Sequence, residues 1–128
     1  MEHADLFELL DTLTGVYEAP PLKLVQGGFT DGALLGNGDV GIAIGGDHQT
    51  LAYYFGKNDF WTDDAALNQD GHRFNGVRPI MVAGIDLRIG RDGGTPYGMQ
   101  QDIRQAEVRT SLSIDRSTVS ASSWLAAT

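Results

Sequence analysis

The stretch "YYFGKNDFWTDD", Tyr53 to Asp64, gathers side chains suited to a polar ligand: Lys57, Asn58, Asp59, Trp61 and Asp63 follow a run of aromatics. A sugar site needs an exposed aromatic ring to stack on the C–H face of the pyranose, with planar amide and carboxyl groups beside it to read the hydroxyls. Asn58, Asp59 and Trp61 are therefore the candidate substrate-binding residues. The competing reading places Phe60 and Trp61 at a core edge and turns Asn58 and Asp59 onto the backbone of their own loop.

Other constellations carry less. "LLGNGDVGIAIGGD", residues 34 to 47, contains Gly36-x-Gly38-x-x-Gly41, the spacing of a dinucleotide-binding loop. Such a loop needs a helix opening at its third glycine, because the helix N-terminus supplies the donors for the pyrophosphate. Here Gly41 is followed by the alternating "IAIGGD", so Gly36, Asn37, Gly38 and Gly41 read instead as a structural turn between two strands. Asp63, Asp64, Asp70 and His72 offer oxygen and imidazole ligands, but their spacing fits no EF-hand and a solvated loop is the better reading. Pairs such as Asp59 with Asp63 could flank a glycosidic bond, yet sequence cannot set their separation. His3, His48 and His72 fall in a terminus, a turn and a loop, and no serine sits in a nucleophile elbow. No catalytic residue, metal site or cofactor is expected from this chain.

The elements that must position these residues are mostly strands. From Ala4 to Thr14, Leu6, Leu9, Leu10 and Leu13 recur at helical spacing, with Gly15 as a stop, which predicts one short amphipathic helix. "APPLKL" then forces an extended path. After Phe29 the pattern turns to strands: "ALLG" and "DVGIAIG" flank Asn37-Gly38, the signal of a type I′ hairpin. Val40, Ile42 and Ile44 share one face, and Gly41, Ala43 and Gly45 thin the other.

A turn over Gly45 to Gln49 leads into "TLAYYFG", with Leu51, Tyr53 and Phe55 on one side. Lys57 to Arg78 shows no period and reads as a long loop. In "AGIDLRIG" Ile85, Leu87 and Ile89 point inward; in "AEVRTSLSI" Ala106, Val108, Thr110, Leu112 and Ile114 do. Asp115 to Ser117 turns the chain into a last strand with Val119, Ala121, Ser123 and Leu125 alternating. The expected fold is mainly β, an antiparallel β-sandwich with a short N-terminal helix. One domain over 1–128 is expected, with helix and lead-in at 1–28 and a sandwich at 29–128 that continues beyond the chain end.

Composition bounds the partners. A net charge of -8, from 17 acidic and 9 basic residues spread along the chain, repels phosphate backbones and anionic lipids. No nucleic-acid or membrane partner is expected, which leaves neutral ones such as sugars. The absence of cysteine excludes disulfides and thiolate metal sites. "PIMVAGI" is too short to cross a bilayer, and the acidic start "MEHADLFELL" is not a secretory signal. As written the chain would stay in the cytoplasm, while a longer parent could be secreted or periplasmic.

The order of three segments resembles a known domain. Leu35-Gly36-Asn37-Gly38-Asp39-Val40-Gly41 is similar to "[IL]-G-N-G-x-[LI]-G", Asn58-Asp59-Phe60-Trp61, one position shorter, to "N-[DE]-x-[LF]-W", and "GIDLRIG" with "YGMQQDIRQAEVRTSLSI" to two later strands. These are motifs of the N-terminal β-sandwich of glycosidases related to the α-L-fucosidases of glycoside hydrolase family 95. Leu34 stands where the family has Pro, and Met99 and Gln101 stand near the position of its Arg. The resemblance implies a non-catalytic domain of a carbohydrate-active enzyme that supports or edges the active site. Its partners would be a carbohydrate and a following helical-barrel domain that carries the catalytic acid and base. A free-standing carbohydrate-binding module and a purely structural sandwich are the alternatives.

Overall fold

A computed structural model describes residues 3–22, 30–63, 77–88, 97–114 and 117–127. Helix α1 (His3–Asp11) precedes β1 (Thr14–Tyr17), β2 (Ala33–Gly36), β3 (Val40–Gly46), β4 (Thr50–Asp63), β5 (Val77–Arg88), β6 (Gly98–Asp102), β7 (Glu107–Ile114) and β8 (Ser117–Trp124). Two four-stranded sheets form, ordered β1-β6-β7-β8 and β2-β3-β4-β5, and every neighbouring pair is antiparallel. The fold is mainly β, two antiparallel sheets in a sandwich with one short N-terminal helix.

Alternation explains which faces meet. Ala33, Leu35, Ile42, Ile44 and Leu51 from one sheet form a buried cluster with Met99, Val108 and Leu112 from the other, and Tyr17, Tyr53, Phe55, Ala121 and Leu125 pack around it. Each set follows the period of two that turns alternate side chains to one face. Three hydrogen bonds then tie sheet to sheet or to the C-terminal segment. Tyr53 Oη and Ser123 Oγ lie 2.8 Å apart, Gln101 Nε2 donates to the Leu34 carbonyl at 2.7 Å, and Asn37 Nδ2 donates to the Ala126 carbonyl at 3.0 Å.

Several sequence expectations are corrected. The helix ends at Asp11, and Thr14 and Gly15 belong to β1, paired with Asp102 and Gln101. The Thr12 hydroxyl takes the Leu9 carbonyl at 2.7 Å, a side-chain bond that competes with helix continuation. Leu6, Phe7, Leu9 and Leu13 remain about half exposed, so the apolar face of α1 is not buried against the described residues. Lys57 to Arg78 is not a loop throughout: β4 runs to Asp63 and β5 starts at Val77, with Trp61 opposite Pro79. Backbone pairing makes this ribbon without any alternation of side chains.

Ile85 and Leu87 stand opposite Tyr53 and Leu51 on the core-facing side, yet both are 47% exposed, because β5 is the edge strand. Ala106 is in a turn with φ 50°, outside β7, whereas Val108, Thr110 and Leu112 are buried as expected. Ile89, Asp115 and the Ile114 side chain lie outside the described residues.

Candidate functional site

The first component is the β2–β3 hairpin. Gly36 pairs with Gly41, and the Asn37 N–H donates to the Val40 carbonyl at 3.1 Å. The central residues are therefore Gly38 and Asp39, not Asn37 and Gly38. Gly38 has φ 94° while neither Asn37 nor Asp39 has positive φ, the sign pattern of a type II′ turn rather than type I′. Asn37 acts through its side chain: Oδ1 accepts from the Asp39 N–H at 3.1 Å and the Val40 N–H at 2.8 Å. This Asx geometry satisfies donors that a two-residue turn would otherwise leave to water.

The second component is a wide bulge in β4. Gly56 faces Met81 and Trp61 faces Pro79, so Lys57, Asn58, Asp59 and Phe60 together oppose one residue of β5, Ile80. A bulge of this kind re-aims side chains next to the interruption. The Asn58 N–H donates to the Asp39 carbonyl at 2.8 Å, which joins the bulge to the hairpin turn. The Trp61 indole N–H donates to the Asn58 carbonyl at 2.5 Å, which fixes the ring while leaving it 53% exposed.

Between hairpin and bulge lies a shallow recess of about 370 Å³ lined by Gly36, Gly38, Asp39, Val40, Gly41, Gly56, Lys57, Asn58 and Trp61. Gly36, Gly41 and Gly56 face one another across β2, β3 and β4, so one row of the sheet presents bare backbone. Among the described residues nothing demands glycine in that row: an added Cβ would meet only the Val40 carbonyl at 3.7 Å from Gly36 and the Leu35 carbonyl at 4.0 Å from Gly41, and nothing within 4 Å from Gly56. The row leaves a flat open shelf beside the indole.

The charges at its rim are paired. Lys57 Nζ donates to Asp39 Oδ1 at 2.9 Å and to Asp59 Oδ1 at 2.6 Å. The hydrogen bond from Lys57 holds the Asp59 carboxyl below its ordinary range, and bonds to Asp59 and Asp39 raise Lys57. A glycosidase acid needs a carboxyl pushed upward to carry a proton near neutral pH, and the bond from Lys57 moves Asp59 the other way. The rim offers fixed acceptors and one shared ammonium, suited to hydrogen bonding rather than proton transfer.

The structure thus brings Asn58, Asp59 and Trp61 together with Gly36, Asn37, Gly38 and Gly41 in one place. Asn58 contributes its backbone to both the turn and the indole, and Asp59 reaches Asp39 only through Lys57. The proposed oxygen cluster cannot be assembled: Asp64, Asp70, His72 and the Asp63 side chain lie outside the described residues. Among the described residues no group of three His, Cys, Asp or Glu is placed to hold a metal ion. No helix among them is long and apolar enough to cross a membrane.

No family model, curated protein or solved structure matches the chain. The likeness to family 95 glycosidases rests on the motif residues alone.

Sequence reasoning overlooked Gly56 and Asp39, which complete the shelf and its ion bridge. It also overlooked Trp124, 67% exposed at the end of β8. For Trp124 the signal was present, since it falls out of phase with Val119, Ala121, Ser123 and Leu125. Gly56 and Asp39 become neighbours only through cross-strand register.

Proposed function

We propose that this chain is the N-terminal, non-catalytic sandwich of a carbohydrate-active enzyme of the glycoside hydrolase type, and that the shelf beside Trp61 edges an active site built in another part of the parent protein. The observation that carries the reading is the pinned, half-exposed Trp61 indole beside a row of three facing glycines. A pyranose ring can lie on such a backbone floor with one face toward the indole, while Asn58 and Asp59 take its hydroxyls. The ordered motifs at Leu35–Gly41 and Asn58–Trp61 support the same reading.

The test compares the product of the whole reading frame with its Trp61→Ala form on a panel of aryl glycosides. The expected outcome is glycosidase activity in the parent, a fall of about tenfold in kcat/KM for Trp61→Ala, from one lost stacking contact, and no hydrolysis by the 128-residue chain alone. A parent without glycosidase activity on any aryl glycoside would sink the proposal. The exposure of Trp61 in the isolated chain also fits a free-standing binding module, which would bind oligosaccharides without any partner domain.

A further inference from the structure

The other sheet turns a second, different surface outward. In β6, β7 and β8 the residues out of phase with the buried Met99, Val108, Thr110 and Leu112 form two register rows, Gln100–Arg109–Ser122 and Gly98–Ser111–Ser120. A third row sets Glu107 opposite Trp124, one pleat beyond Arg109 and Ser122. The first two rows line a groove of about 350 Å³, whose outer-face lining includes Glu18, Gln100, Arg109, Ser111, Ser120 and Ser122, and the Glu107–Trp124 row lies beyond it. Short serines between longer Gln and Arg side chains make it concave.

Its chemistry selects a ligand class. Arg109 Nη2 donates to Glu107 Oε2 at 2.6 Å, and the Ser122 hydroxyl also bonds Glu107, which lowers the Glu107 carboxyl from its ordinary range. The guanidinium is thereby charge-balanced and held in orientation beside the groove it lines, and it keeps further donors, since Arg has five N–H groups and one carboxylate engages only part of them. The Gln100 amide, an oriented guanidinium and three hydroxyls favour a polyhydroxylated molecule. An anion would be disfavoured by Glu107, by Glu18, which also lines the groove, and by the -8 charge of the chain. Trp124 adds the apolar component: it is 67% exposed on the same face, about 7 Å along the strand from Ser122, the spacing of next-but-one residues. Rows of this spacing on strands about 4.8 Å apart give room for one or two sugar rings.

We propose that the outer face of the β1-β6-β7-β8 sheet is a binding groove for a neutral oligosaccharide, with the Trp124 indole stacking on one ring and Gln100, Arg109, Ser111, Ser120 and Ser122 bonding the hydroxyls of the next. It uses another sheet and other residues than the Trp61 shelf and does not depend on the parent being a glycosidase.

The 128-residue chain, labelled with nitrogen-15, is titrated with gluco-, xylo-, manno- and galacto-configured neutral oligosaccharides and with an anionic galacturonide. The expected result is saturable shifts for one neutral sugar at the amides of Gln100, Arg109, Ser120 and Ser122 and at the Trp124 indole. Trp124→Ala should weaken that binding about tenfold, as one lost aromatic stack would. Ser120→Arg, which fills the groove from an exposed position, should abolish it, and Trp61→Ala should leave it unchanged. Any of four results overturns the proposal: no shifts with any sugar; shifts confined to Gly41, Gly56 and Trp61; binding only of the galacturonide, weakened by salt; or binding unaltered in folded Trp124→Ala and Ser120→Arg. Loss of glycosidase activity in the parent's Trp61→Ala form tests the other site and leaves these readouts untouched.

Discussion

Strand β3 ends in two turns built on the same hydrogen-bond plan. At one end Asn37 N–H meets the Val40 carbonyl and Asn37 Oδ1 accepts from Asp39 and Val40; at the other Asp47 N–H meets the Thr50 carbonyl at 2.9 Å and Asp47 Oδ1 accepts from Gln49 at 2.8 Å and Thr50 at 2.7 Å. They differ in where glycine is compulsory. Gly46, next to the second turn, has φ 126°, and a Cβ there would sit 1.9 Å from the Thr50 carbonyl oxygen. Around the first turn Gly38 alone has positive φ, and Gly36 and Gly41 have room for a side chain. One end is fixed by packing against its own backbone, and the other keeps space that the fold itself does not use.

The largest effect should come from Gly46→Ala, which places a methyl group on backbone that cannot move without breaking the Asp47–Thr50 turn. A loss on the order of 3 kcal/mol is expected, from a strained φ and a hard clash together. Urea unfolding measures it, and no loss, as expected for Gly41→Ala, would erase the contrast between the two ends.

Next come the side chains that cap the turns. Asp47→Ala strips two backbone donors of a charged acceptor and should cost about 1.5 kcal/mol, and Asn37→Ala about 1 kcal/mol despite losing its bond to the Ala126 carbonyl as well. Acid separates the pair further. The Gln49 N–H, first among its partners, lowers the Asp47 carboxyl, so its contribution is complete above the unfolded value of about 4 and is lost as pH falls through the folded one. Asp47→Asn should therefore flatten the acid limb of the stability curve, while Asn37→Asp should steepen it. Identical acid limbs in wild type and Asp47→Asn would mean that the carboxylate is not the acceptor described.

This contrast also marks how far sequence reaches. Alternation in "DVGIAIG" and "EVRTSLS" gave the faces of β3 and β7, because burial on one side imposes a period of two. It missed β1, where Thr14–Tyr17 shows no alternation and is recruited only by pairing with β6. It placed the hairpin turn one residue early, since Asn-Gly satisfies the rule for type I′ and nothing in the chain reveals that Asn37 is held by its own side chain. At the shelf, Asn58, Asp59 and Trp61 were legible from residue type. The glycine row was not, because Gly36, Gly41 and Gly56 become one surface only in the register of three strands.

Inside the sandwich a smaller gain is expected. Thr110 is 1% exposed, and its Oγ1 has no hydrogen-bond partner among the described residues. Valine keeps the branched shape and removes the unpaired hydroxyl, so Thr110→Val should stabilise by about 1 kcal/mol in thermal or urea unfolding. Destabilisation would show that the hydroxyl is bonded in solution.

The smallest effect on stability is the most informative about the shelf. Gly41 and Gly56 have ordinary φ, and an alanine at either meets nothing closer than 4.0 Å. Glycine within a strand costs roughly 0.5–1 kcal/mol relative to alanine through the freedom it loses on folding, so Gly41→Ala and Gly56→Ala should be neutral or slightly stabilising. A fold under selection for stability alone would have no reason to keep three glycines facing one another beside an exposed indole. If the row is kept open for a ring stacked against Trp61, bulkier changes such as Gly56→Val should leave unfolding unaltered and reduce kcat/KM of the proposed parent glycosidase as far as Trp61→Ala does. Unfolding midpoints and aryl-glycoside kinetics on the same variants decide it: a parent whose activity ignores Gly56→Val does not use this shelf.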